Sequence, residues 1–207
     1  MQRRDLLAAT ARLARGGRME ALAAGAARSA RTSGPHRLVQ GVGGLGQHAG
    51  QKGGEKTGPN PVDRGRPGSK RHLLVDGNGT PLVAVLTGAQ VHDSKVFEEL
   101  VDGVEPVKGP RGRPRKRPEK LHADKGYDYE RCRRFLHRRG IKARIARRAV
   151  ESSQRLGRHR WVVERTLAWL SCYRRLCVRY ERRADIHEAF LELGCALACF
   201  NRLRRGL

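Results

Sequence analysis

The chain has 207 residues, and its 44 Lys and Arg against 20 Asp and Glu give a formal net charge of +24. Such an imbalance repels itself in a compact body unless a polyanion accompanies it, so nucleic acid is the expected partner. A basic membrane-surface protein is disfavoured because no amphipathic basic helix, no lipid signal and no run of ~18 apolar residues is present. The length suits one ordinary domain plus a tail, and without a signal-peptide core at the amino terminus the expected location is cytoplasmic.

Residues 1–51 are rich in Ala, Gly and Arg and carry few large apolar side chains at a regular spacing. Marginal helix and a low-order segment are expected there. From residue 70 the texture changes: "KRHLLVDGNGTPLVAVLT" reads as two strands joined by a tight turn. "KVFEELVDGV" is a short helix with Val96, Leu100 and Val101 on one side, and "PVKGPRGRPRKRPEK" an exposed loop. "KLHAD" is a strand, "DYERCRRFLHRRG" a helix closed by Gly140, and "IKARIARR" a strand with Ile141, Ala143 and Ile145 alternating. Strand, helix and strand in succession imply a parallel crossover. Two further helices are expected from "RHRWVVERTLAWLSCYRRLCVRYERR" and "DIHEAFLELGCALACFNRLRR", the second capped by Asp185. The plan is ββαβαβαα, a mixed α/β domain over 52–207 with a basic loop at 106–120.

Five cysteines without a CxxC pair indicate neither a disulfide framework nor a zinc ribbon, and reduced thiols are expected. Cys195 and Cys199, four apart, suit packing on a buried helix better than metal ligation. Two carboxylates stand out. Asp124 ends the strand "KLHAD", where functional groups of α/β sheets emerge, and Glu164 lies in a helix among Trp161, Val162, Val163, Leu167 and Trp169. An ordinary i to i+4 pair of Arg160 with Glu164 is the plain alternative.

"LHADKGYDYERCRRFLHRRGIKARIARR" and "LGRHRWVVERTLAWL", together with "TGPNPVDRGRPGSKRHLLVDGNGTPL" and "QVHDS", resemble the catalytic region of bacterial insertion-sequence transposases of the DDE class. The likeness runs from about Lys52 to Leu203. It implies an RNase H-like mixed sheet flanked by helices, and a first-strand Asp, a later-strand Asp and a helix Glu that hold two Mg²⁺ or Mn²⁺ ions. Asp124 matches the second carboxylate, Glu164 the third, and Arg160 the family's arginine on the same helix face. A tyrosine and a lysine found beside this pair in some relatives are replaced by Gly157 and Ser171. Hard divalent ions prefer oxygen ligands, and a pair of them can activate a nucleophile and stabilise the leaving oxygen of a phosphodiester. The resemblance implies DNA cleavage and strand transfer on double-stranded DNA at transposon ends, by a homodimer or larger assembly.

The first aspartate is missing. Leu45, Gly46, Gln47, His48, Ala49 and Gly50 stand where it is expected, and none can bridge two metal ions. With suitable GC-rich codons, reading Gly44 to Lys52 one nucleotide later gives DSASMRAK, a family-like first strand. The expectation is therefore that residues 1–51 are a transposase amino terminus in an altered frame and that the chain as written is defective in catalysis. Asp63, Asp76, Asp93 and Asp128 are the candidate substitutes for the missing acid, with structural roles expected for Asp63 and Asp76; His92 and Asp93 suit a helix cap.

"PRGRPRKRP" resembles an AT-hook, with Arg111, Arg113 and Arg115 entering a narrow minor groove; a solvated basic loop is the alternative. Arg158, Arg160, Arg165, Arg174 and Arg175 are expected to hold phosphates. The rival to a transposase is a basic DNA-binding protein derived from one that does not cleave.

Overall fold

Leucine and β-branched residues on either side of Asp76-Gly77-Asn78-Gly79 make the expected hairpin. In the computed structural model, which describes residues 38–41, 47–49, 53–106, 117–147 and 153–204, strand β4 (Pro67–Asp76) pairs antiparallel with β5 (Pro81–Gly88). The Asp76 carboxylate accepts from the N–H of Asn78 at 2.9 Å and of Thr80 at 2.8 Å. Gly79 takes φ +89°, a conformation that a side chain would strain. Sequence and turn therefore agree residue by residue.

The other edge of β4 is lined by β1 (Leu38–Gly41) and β2 (Gln47–Ala49), while β3 (Gly58–Pro59) continues the β5 edge beyond it; all three are antiparallel to β4. Strand β1 also pairs parallel with β6 (Lys120–Ala123), and β6 parallel with β7 (Lys142–Ile145). Across the sheet the order is β5, β4, β1, β6, β7. Two strands thus come from the amino-terminal stretch expected to be poorly ordered, and one of them is central; the rest of residues 1–51 lies outside the described residues.

Helices cover both faces. Helices α1 (Phe97–Asp102) and α2 (Glu130–Arg138) bury Phe97, Val101, Cys132, Phe135 and Leu136 with Leu74, Leu121 and Ala123 of the sheet. On the other face α3 (Ser153–Ser171), α4 (Arg174–Cys177) and α5 (Ala184–Arg204) bury Val162, Val163, Leu167, Leu170, Leu176 and Leu191 against Leu73 and Val75. Neighbouring residues of β4 feed opposite cores because strand side chains alternate with period two. Each such side chain contributes about 1.5–3 kcal/mol on burial. Gly140, at φ +62°, ends α2 as expected. No helix among the described residues is long and apolar enough to cross a membrane.

Two expectations need correction. The stretch 158–183 is not one helix: α3 stops at Ser171, Tyr173 is extended at φ −80° and ψ 118°, and after the single turn of α4 Val178 is extended again. The break turns Arg179, 1% exposed, inward. Its guanidinium donates to the carbonyls of Glu55, Lys56 and Glu181 and to the hydroxyls of Thr57 and Ser69, a set of acceptors that a continuing helix would not reach. Nor does Asp185 cap α5. It lies inside the first turn, paired with Arg183, while the Glu55 carboxylate accepts from the leading N–H of Ala184 at 3.2 Å.

Candidate catalytic surface

Asp124 follows the last residue of β6 and is itself extended, at φ −79° and ψ 180°. Its carboxylate accepts from the N–H of Gly126 at 2.9 Å and starts a 3₁₀ turn over Lys125–Tyr127. Leu121 and Ala123 point into the core under α1 and α2. Strand alternation therefore aims His122 and Asp124 at the opposite face, the one that α3 covers.

Helix α3 packs across β1 and β4 through Val162, Val163, Thr166, Leu167 and Leu170, all buried. Glu164 is half-buried on the flank of that stripe. The two carboxylates singled out from sequence thus lie on one face of the sheet. Thr166 fixes the helix to the hairpin, donating to the Gly79 carbonyl at 2.8 Å, and an added Cβ at Gly79 would meet the Thr166 hydroxyl at 3.0 Å. Gly79 is required here by close approach as well as by its φ.

The register fixes which residues of β1 stand beside Asp124. Leu38 lies beside Leu121 and Val39 beside His122, so two residues further on Gly41 falls level with Asp124. Gly41 is opposite Leu73 and Gln47 opposite Lys70, six residues of advance against three on β4. This interval reads Gln40-Gly41-Val42-Gly43-Gly44-Leu45-Gly46, and no Asp or Glu occurs anywhere between Glu20 and Glu55. Among the described residues no group of three His, Cys, Asp or Glu could hold a metal ion.

The other acids have structural uses. Asp76 shapes the hairpin turn, Asp93 pairs with Lys70 at 3.0 Å, and Asp128 pairs with Arg133 at 2.5 Å. Asp63 belongs to the turn between Asn60 and Arg66, its backbone N–H bonded to the Asn60 carbonyl. His92 caps the 3₁₀ turn Asp93–Lys95, accepting from the Ser94 N–H, so the capping role expected of this pair falls to the histidine.

The expected phosphate-binding arginines divide. Arg165 is stacked between Trp161 and Trp169, 4.3 and 4.9 Å from their ring centres, and donates to the Asn78 carbonyl at 2.6 Å. Those bonds spend its guanidinium on the fold. Arg175 holds Glu181 at 3.1 Å and lies over Tyr180 and Phe190, though it is exposed, as is Arg174. The side chains of Arg158 and Arg160, and the hook residues Arg111, Arg113 and Arg115, lie outside the described residues. The cysteines are free thiols; burial pushes Cys195 up to about 12 and Cys199 up to about 11, which keeps both protonated and inert.

Sequence reasoning missed two buried cations. Arg179 is flanked by Tyr180, Glu181 and Arg182, so its neighbourhood reads as surface. Arg71, fully buried on β4, donates one bond to the Ser171 hydroxyl at 3.1 Å, and its Nε and Nη1 meet no acceptor. Its only sequence signal is its place in the strict alternation Arg71, Leu73, Val75.

The sequence model of the family described as "Transposase DDE domain" matches residues 32–199. A chain from Burkholderia cepacia named "Putative transposase for insertion sequence element IS402" is 53% identical over 202 residues, 98% of this chain and 96% of that one. The match takes in nearly all of the first 51 residues as well. Divalent-metal dependence and DNA with transposon ends as partners follow for the family in general. With a matched domain that spans the sheet and both helix layers, this chain belongs to the DDE transposases of bacterial insertion sequences.

Proposed function

We propose that this chain acts on transposon-end DNA through an RNase H-like domain and that, as written, it binds DNA without efficient cleavage or strand transfer. The sheet order, with β5, β4 and β1 antiparallel neighbours and β1, β6 and β7 parallel ones, supports the RNase H-like assignment. Asp124 and Glu164 are the two carboxylates of the site, on the face shared by β6 and α3. The observation that carries the catalytic defect is the register of β1: Gly41 stands level with Asp124, in a stretch without a single acid. Two carboxylates leave a pair of Mg²⁺ or Mn²⁺ ions short of a ligand and a negative charge.

The net charge of +24 is the source of affinity. Phosphate contacts by Arg158, Arg160 and Arg174 position the duplex, with the Arg111, Arg113 and Arg115 loop set to enter the minor groove of A·T-rich DNA. Contributions from Arg165 and Arg175 are smaller, because their guanidinium groups are already engaged within the fold. A homodimer on two DNA ends completes this reading. The second reading, a DNA-binding derivative whose role never involves cleavage, is favoured by the same missing acid.

An altered frame of residues 1–51 would account for the missing acid; against it stands the Burkholderia cepacia relative, whose match takes in most of that stretch as it is read here. Genomic DNA around codon 52 tests it: a one-base shift that places an aspartate near codon 44 is the expected finding, and its absence ends the idea. Nicking of supercoiled plasmid in Mg²⁺ or Mn²⁺ separates the two functions. The chain as written should bind DNA and leave the plasmid intact, the frame-restored chain should nick it, and Asp124→Ala should abolish that nicking. Robust nicking by the chain as written, lost in Asp124→Ala, would show that another group replaces the first carboxylate.

A further inference from the structure

Helix α5 is apolar on two sides. One stripe, Ala184, His187, Leu191 and Ala198, is buried against the body, and Gly194 lets Leu176 and Leu170 approach so closely that an added Cβ would stand 2.7 and 3.2 Å from them. The opposite stripe is Ile186, Phe190, Leu193, Leu197, Phe200 and Arg204, at spacings of four, three, four, three and four. That is the heptad spacing of a coiled-coil seam. Phe190 lies partly against the core, but Leu193 and Leu197 are each 39% exposed and Phe200 58%. Alanines 189 and 196 flank the seam and leave room for a close neighbour.

Charge decides which neighbour. Asp185, Glu188 and Glu192 lie in the first half of α5, the first two paired with Arg183 and Lys56, and Arg202 and Arg204 in the second, Arg202 bonded to the Asn78 carbonyl. A parallel copy of the same helix would set like charges side by side, whereas an antiparallel copy sets each half against its opposite and also opposes the helix dipoles.

We propose that this face pairs with a second copy of the chain, the two α5 helices running antiparallel. The seam then closes in register over its whole length: Leu193 meets Leu197 of the partner subunit, Phe190 meets Phe200 of the partner subunit, and Ile186 meets Arg204 of the partner subunit. Arg204 thereby comes beside Asp185 of the partner subunit. The 21 residues of α5 span about 30 Å, enough for three such layers on each side of the two-fold. Glu192, which burial and the neighbouring Glu188 push upward, gains from an opposing cationic half. The proposal gives the homodimer of the DNA-handling reading its surface. It rests on that reading for the use of the dimer, not for its existence.

The test is the mass of the full chain in solution without DNA, in reducing buffer at high salt, by sedimentation or light scattering. Twice 23.1 kDa, about 46 kDa, is expected at tens of micromolar. Leu197→Glu and Phe200→Glu should each weaken dimerisation at least a hundredfold, with unchanged circular dichroism; Phe200 is exposed enough that its replacement leaves folding intact. Arg204→Glu should weaken the dimer, and the double variant Asp185→Arg with Arg204→Glu should restore it. A monomeric chain at these concentrations, a dimer indifferent to both seam variants, or a double variant that stays monomeric each overturns the antiparallel seam. DNA binding by anisotropy is scored separately, so a monomer that still binds DNA counts against this interface alone.

Discussion

Replacing Arg71 by methionine should make the protein more stable. The guanidinium is fully buried on β4 beneath α3, keeps one bond to Ser171, and leaves Nε and Nη1 without acceptors. Burial is the main cause that holds it down at about 10, against the ordinary 12.5, with Cys195 and Cys177 opposing only weakly. A depression of that size corresponds to about 3 kcal/mol of cost for keeping the charge in the folded state at neutral pH, at ~1.4 kcal/mol for each tenfold step. Methionine retains the buried aliphatic stem and removes the charge. The lost bond costs about 1 kcal/mol, and Ser171 remains satisfied because its hydroxyl also donates to the Leu167 carbonyl at 2.9 Å. A net gain of about 2 kcal/mol follows, in line with buried charges that are replaced by apolar groups. For a chain of this size that raises Tm by roughly 4–8 °C, readable by circular dichroism or scanning calorimetry. A fall in Tm of similar size would refute the reasoning, because it would mean that Arg71 has an anionic partner in solution.

Other buried polar groups give further predictions. His72 is buried against Thr87 with Lys70 and Asp93 nearby, and burial lowers it to about 4 from 6.5. Since the folded value is depressed, its neutral form supports stability above pH 6.5, and up to about 3 kcal/mol is lost as pH falls towards 4. Melts between pH 7.5 and 5 should show this loss, and His72→Gln should flatten it; His187, lowered in the same direction, accounts for part of the remaining slope. Tyr127 is fully buried with no partner for its hydroxyl, so Tyr127→Phe should raise stability by about 1 kcal/mol in urea titration, and a loss would mean the hydroxyl is bonded. Arg179→Met should cost about 3–5 kcal/mol, because several buried acceptors lose their donor at once. A change below 1 kcal/mol would show that the clasp is not a structural centre.

How much of this was legible in the sequence depends on the range of the interaction. The hairpin could be read because Asp76 and Gly79 act on their own neighbours, and the crossover from β6 through α2 to β7 because alternation and Gly140 are local signals. The end of α3 was not legible. Its cause is a clasp between Arg179 and residues more than a hundred positions earlier, and no window of sequence around Arg179 contains Lys56 or Ser69. The packing of Arg165 was not legible for a related reason: its acceptor, the Asn78 carbonyl, is 87 positions away. Asp124 and Glu164 could be singled out as residues, but their common face follows from strand alternation and helix packing together.

Missing acidity and retained architecture at β1 are compatible because a strand pairs through its backbone. Gln40 and Gly41 offer the same N–H and C=O groups to β4 as any other residues would, so the register with Leu74 and Leu73 survives a change in every side chain. The core under α3 draws on Leu73, Val75 and the helix residues, none of them on β1. Metal chemistry has no such tolerance: it needs carboxylate oxygens at defined points, and one absent acid removes both a ligand and a charge. On the proposed two-ion reading, folding and phosphate contact are spread over many groups, while cleavage hangs on three carboxylates. A chain that loses the first of those three is expected to retain its sheet and its grip on DNA, and to lose turnover alone.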